Sequence, residues 1–203
     1  MGPPGVDAKP GSRVQVGVVS DTHGYLDPRL PPALAGVSVI LHAGDVGSED
    51  VLDNLRRIAP VHAIRGNVDG PELSLPLSAE FKLAGCRIEM VHILPFSQSE
   101  LEALGQESPS AGGLTARAEK WLNAFKSETG LVIFGHTHSP CQVRLGRCLF
   151  FNPGAAGKKR FALPRSCGVL EISDGEISAR LISLEPGSGL RGGKTPTKAE
   201  VFE

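Results

Sequence analysis

The chain has 203 residues, enough for one domain with a buried core. Its formal net charge of −1, with 40% hydrophobic and 21% charged residues, is ordinary for a globular protein and sets up no field toward nucleic acid or membrane. There is no run of 18 apolar residues to predict a membrane-spanning helix, and Met1 to Gly11 lack the apolar core of a signal peptide.

Residues 1–12, rich in Pro and Gly, are expected to form a disordered tail. A single domain follows over 13–184, then a second disordered tail, rich in Gly and Lys, over 185–203. The first strand is carried by Val14, Val16, Val18 and Val19, and runs into Ser20-Asp21-Thr22-His23-Gly24. Pro28, Pro31 and Pro32 leave room for only a short helix near Ala33. Val37 to Leu41 form a second strand that ends in His42-Ala43-Gly44-Asp45.

Ser48 reads as an N-cap, with Glu49 and Asp50 in the first helical turn, where the dipole favours acids. Val51, Leu52, Leu55 and Ile58 recur at helical spacing, and Pro60 marks the stop. Val61 to Ile64 form a third strand, leading into Arg65-Gly66-Asn67-Val68-Asp69. Strand, helix, strand, helix, strand is the order of a parallel α/β sheet with right-handed crossovers.

From Ala79 the pattern turns to hairpins. Glu80 to Leu83 and Arg87 to His92 pair across Gly85. Residues 94–113 read as a loop with one helical turn at Glu100 to Leu104, and residues 114–126, with Trp121 on the core face, as an amphipathic helix. Leu131 to Phe134 form a buried strand before Gly135-His136-Thr137-His138. Two further hairpins span 142–151 and 166–183, the second closed by Asp174-Gly175. The four cysteines, Cys86, Cys141, Cys148 and Cys167, contain no C-x-x-C pair and read as reduced thiols, which points to the cytoplasm.

Five predicted strands thus end in Asp21 and His23, in Asp45, in Asn67, in His92, and in His136 and His138. Strand ends in an open α/β sheet are where ligands bind, and carboxylate, imidazole and amide donors without thiolate suit a divalent cation. Seven such donors read as a metal site for two ions. Other polar residues have plainer readings. His42 is either a donor behind the ligands or a satisfied core histidine, His62 a packing residue, and Lys158-Lys159-Arg160 a solvated charge cluster. Asn152-Pro153-Gly154 either shapes the cleft rim or makes a plain turn.

In their order, the blocks Asp21-Thr22-His23, Gly44-Asp45, Gly66-Asn67, His92 and Gly135-His136-Thr137-His138 resemble the calcineurin-like metallophosphoesterase superfamily over residues 14–184. The wording is most similar to the small phosphodiesterase branch, which also contains the metallophosphoesterase-fold subunit of the retromer coat. The resemblance implies an α/β fold, a metallophosphoesterase-type sandwich of mixed β-sheets flanked by helices. It implies two divalent metal ions, Mn first, with Zn, Fe, Ni or Mg as alternatives. Asp21, His23 and His138 would hold one ion, and Asn67, His92 and His136 the other. Asp45 would bridge them, its two oxygens spanning cations about 3.5–4 Å apart. Asp45, Asn67 and His92 would carry catalysis, and Arg65 and Asn67 would meet the substrate.

Two positions depart from the superfamily pattern. Val68 stands where efficient monoesterases have His, and Ile93-Leu94 follow His92 where Gly and then His or Asp are usual. The implied activity is hydrolysis of a small phosphodiester, or a related phosphorylated compound, by a hydroxide activated between two metals. The alternative is a protein-binding module of the same fold, as in retromer. No membrane or nucleic-acid partner is expected, and homo-oligomers are left open.

Overall fold

A computed structural model describes residues 12–106, 120, 122–126, 128–159 and 162–185. Two five-stranded mixed sheets pack face to face. In the first, β1 (Val14–Val19), β2 (Val39–His42) and β3 (Val61–Ala63) run parallel. β9 (Ser166–Ser173) and β10 (Glu176–Ser183) extend it antiparallel beyond β1. In the second, β5 (Cys86–Val91), β6 (Thr129–Ile133) and β8 (Cys148–Asn152) are parallel, and β4 (Ser78–Leu83) and β7 (Cys141–Leu145) flank them antiparallel.

Side-chain alternation explains the layering, because successive strand residues point to opposite faces. Leu131, Ile133, Leu149 and Phe151 join Val14, Val16 and Val18 in the core between the sheets. Val132 and Phe150, one residue out of step, face away and pack with Leu101 and Leu104 of α3 (Gln98–Gln106) and with Phe125. On the far side, Val19 and Ile40 pack against Leu30 and Ala33 of α1 (Leu30–Ala33) and against Val51, Leu52 and Leu55 of α2 (Glu49–Arg56). The order of layers is therefore helix, sheet, sheet, helix. Burying each Leu of α2 contributes roughly 1.5–3 kcal/mol. The exposed Arg56 pairs with Glu49 and Asp53 contribute well under that, about 0.5 kcal/mol each.

Several expected elements shift. Ser48 holds the extended N-cap backbone of α2, but its hydroxyl makes no capping bond. β2 starts at Val39, after Val37. The single turn expected at Glu100 to Leu104 is a nine-residue helix, α3. Its start is a reciprocal cap: Ser97 Oγ accepts the Glu100 N–H at 3.3 Å, and the Glu100 carboxylate accepts the Ser97 N–H at 3.2 Å. The Ser97-x-x-Glu100 spacing was the signal available for it. The helix expected over 114–126 lies outside the described residues except at 120 and 122–126, where Phe125 is buried edge-on to Phe150 with ring centroids 5.4 Å apart. The two expected tails also lie outside them, apart from Ser12 and Glu185. Glu185 accepts the Arg165 N–H at 3.0 Å.

Candidate metal centre

Both sheets deliver the C-terminal ends of their parallel strands to one edge of the sandwich, and short backbone bonds tie the emerging loops together. The Asp21 N–H bonds Gly44 O at 3.0 Å and the Gly135 N–H bonds His92 O at 3.1 Å. Across the sheets, the Ala156 N–H bonds Ser20 O at 2.9 Å and the His136 N–H bonds Asp21 Oδ2 at 3.1 Å. All seven sequence-predicted donors meet here.

The loops are sharply bent. Asp21, His23, Asp45, His136 and His138 hold φ between 48° and 69°, five of the eight non-glycine residues with positive φ among the described residues. Left-handed backbone costs an L-residue about 1–2 kcal/mol, although Asp and His tolerate it better than most. Close approach requires glycine as well: a Cβ at Gly135 would stand 2.0 Å from Ser20 Oγ and 2.9 Å from Asp21 Oδ2.

The donor atoms form two clusters. In one, His23 Nε2 and His138 Nε2 are 3.2 Å apart, and Asp21 Oδ1 is 4.0 Å and 3.3 Å from them. In the other, Asn67 Oδ1 lies 3.1 Å from His92 Nε2 and 2.9 Å from His136 Nδ1. Asp45 Oδ2 stands between, 3.8 Å from His23 Nε2 and 3.3 Å from His92 Nε2. The other Asp45 oxygen, Oδ1, accepts the Val68 N–H at 3.0 Å. One lone pair of Oδ1 is thereby engaged, while Oδ2 faces both histidines.

Proton accounting tests whether the donors fit a cation. His92 Nδ1 lies 2.7 Å from the Ala43 carbonyl and must donate to it. Neutral His92 then turns the lone pair of Nε2 toward Asp45 Oδ2 and Asn67 Oδ1, both acceptors. Three lone pairs that converge without a hydrogen repel unless a cation or an added proton lies among them. Burial opposes a charge on His92, but the bonds to Asp45 and Ala43 outweigh it and raise its pKa. Burial likewise works against the Asp45 carboxylate, yet the bonds to His92 and the Val68 N–H hold its pKa down at about 2. In the first cluster, the buried Asp21 Oδ1 has no hydrogen-bond partner. Mixed carboxylate, amide and imidazole donors of this kind fit divalent cations.

The family model for the calcineurin-like phosphoesterase superfamily domain matches residues 14–175. The chain belongs to that superfamily. It is similar to a curated probable metallophosphoesterase of Methanothermobacter thermautotrophicus, 30% identical over 173 residues that cover 82% of this chain and 91% of that one. Among solved structures, zinc-complexed wild-type Vps29 from Entamoeba histolytica superposes with a TM-score of 0.63 at 24% identity, covering 86% of this chain and 94% of that one. A protein described as a novel archaeal phosphodiesterase superposes with a TM-score of 0.55 at 20% identity, covering 83% and 99%. These likenesses confirm the mixed α/β sandwich of the calcineurin-like phosphoesterases.

Within this calcineurin-like site, three residues behind the donors set its shape. Asp69 accepts the Val46 N–H at 3.0 Å, the Gly66 N–H at 2.9 Å and the Gly47 N–H at 2.7 Å, which clamps the loop after β2 to the loop after β3. Thr22 Oγ1 donates to Val46 O at 2.9 Å, so His42 Nε2, 2.9 Å away, donates to Thr22. His42 is therefore a buried strut between β2 and the Asp21–His23 turn, and burial lowers its pKa to about 4. Asn152, at the end of β8, donates to Gly135 O at 3.1 Å and Thr137 Oγ1 at 3.0 Å, and so grips the loop that bears His136 and His138. It is the sixth strand end, and as Asn-Pro-Gly it carries no signal that separates it from a turn.

His62 packs its ring 6.2 Å from Phe81 and lies outside both clusters. Arg65, half-buried, ties its backbone N–H to Pro76 O at 2.7 Å. Lys158 places Nζ 5.8 Å from the centre of the Tyr25 ring, and Lys159 pairs with Glu185 at 3.6 Å.

Proposed function

We propose that this superfamily member is a phosphodiesterase dependent on two divalent cations, Mn²⁺ first among them. Asp21, His23 and His138 would hold one cation and Asn67, His92 and His136 the other, with Asp45 as the ligand common to both. Held there, the cations would supply Lewis acidity and lower the pKa of a bound water. The observation that carries the reading is the inward set of donor atoms from Asp45, Asn67 and His92, a cluster that a cation would satisfy. The zinc complex of Vps29 lends support from the same fold.

The chain's own groups direct the chemistry. Asn67 turns Oδ1 toward the two histidines, which leaves its amide N–H₂ for a phosphate oxygen. Arg65, on the same loop, adds positive charge near the substrate. Val68 follows Asn67 and has no proton to give a departing alcohol. Diesters, and esters whose alcohols leave readily, are therefore favoured over alkyl monoesters. All four cysteines are free and buried, which fits a reducing compartment such as the cytoplasm.

The test is hydrolysis of bis(p-nitrophenyl) phosphate and p-nitrophenyl phosphate by chelator-stripped protein, before and after addition of Mn²⁺. Mn²⁺ is expected to restore diester turnover, with the monoester slower. Metal binding without turnover of either ester overturns the reading and favours a protein-binding module of the same fold.

A further inference from the structure

The large apolar side chains that stand exposed among the described residues are Val68 (56%), Leu77 (67%) and Ile93 (49%). Val68 follows Asn67, and Ile93 follows His92, whose side chains meet at 3.1 Å. Leu77 follows Pro76, whose carbonyl accepts the Arg65 N–H at 2.7 Å and so holds that segment against the Asn67 loop. Beside Ile93 opens a pocket of about 170 Å³ whose wall includes Leu94, Phe96, Phe134, Gln98 and His136. The pocket thus adjoins the centre at His136, which lines it and is also a candidate ligand. Its apolar floor is rigid: Phe134 and Leu94 are buried in the cluster beneath α3, and Phe96 meets Phe125 edge-on.

The surroundings of Asp21 and His23 have a different character. There the Gly157 N–H bonds Asp21 O at 3.2 Å, and Lys158 and Tyr25 stand together beyond His23. A single exposed hydrophobe is ordinary on any protein surface. Two that each follow a candidate ligand directly, with an apolar pocket beside Ile93 whose lining includes His136, set that surface apart.

We infer that the pocket and its rim form a subsite for an aryl or alkyl group esterified to the phosphate; this rests on the phosphoesterase reading above. Phosphorus must lie over the two donor clusters to react. Its ester group extends only a few bonds from there and reaches surface one or two residues away from the ligands, where Ile93 and the pocket stand.

The Mn²⁺-loaded full chain is assayed on benzyl p-nitrophenyl phosphate and methyl p-nitrophenyl phosphate, which share a leaving group, beside the Ile93→Ser variant. Direct binding of benzylphosphonate and methylphosphonate is measured by calorimetry on both proteins. The benzyl ester is expected to exceed the methyl ester in kcat/KM by about tenfold or more, in line with burying an apolar group in a half-open pocket. Ile93→Ser is expected to cut that ratio to about two, and the phosphonate binding ratio is expected to fall in parallel. Methyl ester turnover without benzyl preference, or a preference untouched by Ile93→Ser, overturns the subsite and leaves the phosphoesterase reading standing. Turnover of neither ester overturns that reading instead, and equal binding of the two phosphonates then removes the subsite as well.

Discussion

The Val68 backbone N–H donates to Asp45 Oδ1 at 3.0 Å, while Oδ2 lies 3.8 Å from His23 Nε2 on one side and 3.3 Å from His92 Nε2 on the other. An Asn at 45 can keep the bond to Val68 with its oxygen but must then present NH₂ to the centre. That group is neutral and has no lone pair to offer a cation. Asp45→Asn is therefore expected to fold normally, with an unchanged circular dichroism spectrum, while Mn²⁺ affinity falls at least tenfold and diester hydrolysis falls about a thousandfold or more. A variant that retains wild-type Mn²⁺ affinity in calorimetry would remove Asp45 from the shared position.

Asp69 makes no approach to the donor clusters within bonding distance, yet it accepts three backbone N–H groups from the two loops that carry Asp45 and Asn67. Bonds to a charged acceptor contribute about 1.5–3 kcal/mol, and the orphaned N–H groups cost more when part-buried. Asp69→Ala is expected to lower the unfolding free energy by about 2–4 kcal/mol and to weaken metal binding by 10–100-fold, as loss of outer support usually does. Asp69→Asn, which keeps one oxygen, is expected to fall between. Metal affinity that is intact in Asp69→Ala would refute the clamp.

His42 gives the pH dependence a definite sign. Its pKa lies near 6.5 in the unfolded chain and is lowered to about 4 in the fold by burial. Between those values the unfolded chain binds a proton that the folded one refuses, so stability falls as pH falls through 6.5 and the full cost is reached below 4. The amount is on the order of 3 kcal/mol. The difference in unfolding free energy between wild type and His42→Asn, measured by urea in chelator from pH 7.5 to 4, is expected to shrink steadily toward acid. The other titrating groups are common to both proteins and cancel. A flat difference would show that His42 is not held neutral.

Much of this architecture was legible in the chain itself. Hydrophobic alternation located the strands, and two-residue turns such as Asp174-Gly175, with φ of 51° and 82°, specified their hairpins. What escaped has local causes. Pro95 and the serines point to a loop with only one helical turn at Glu100 to Leu104, whereas α3 runs over nine residues from a Ser97–Glu100 cap that acts only once both side chains fold back on the backbone.

The chemical identity of the centre belongs to the sequence: each donor follows an apolar strand directly, so its residue type and its place at a strand end are set by covalent order. Which oxygen of Asp45 faces the centre, which nitrogen of His92 keeps its lone pair, and the grip of Asn152 on the His136–His138 loop were decided only by the tertiary structure. The exposure of Val68, Leu77 and Ile93 was likewise decided by the fold, although Val68 and Ile93 follow the donors Asn67 and His92 directly in the chain. Such features depend on hydrogen-bond partners and surfaces that arrive from distant segments, and no local spacing encodes them.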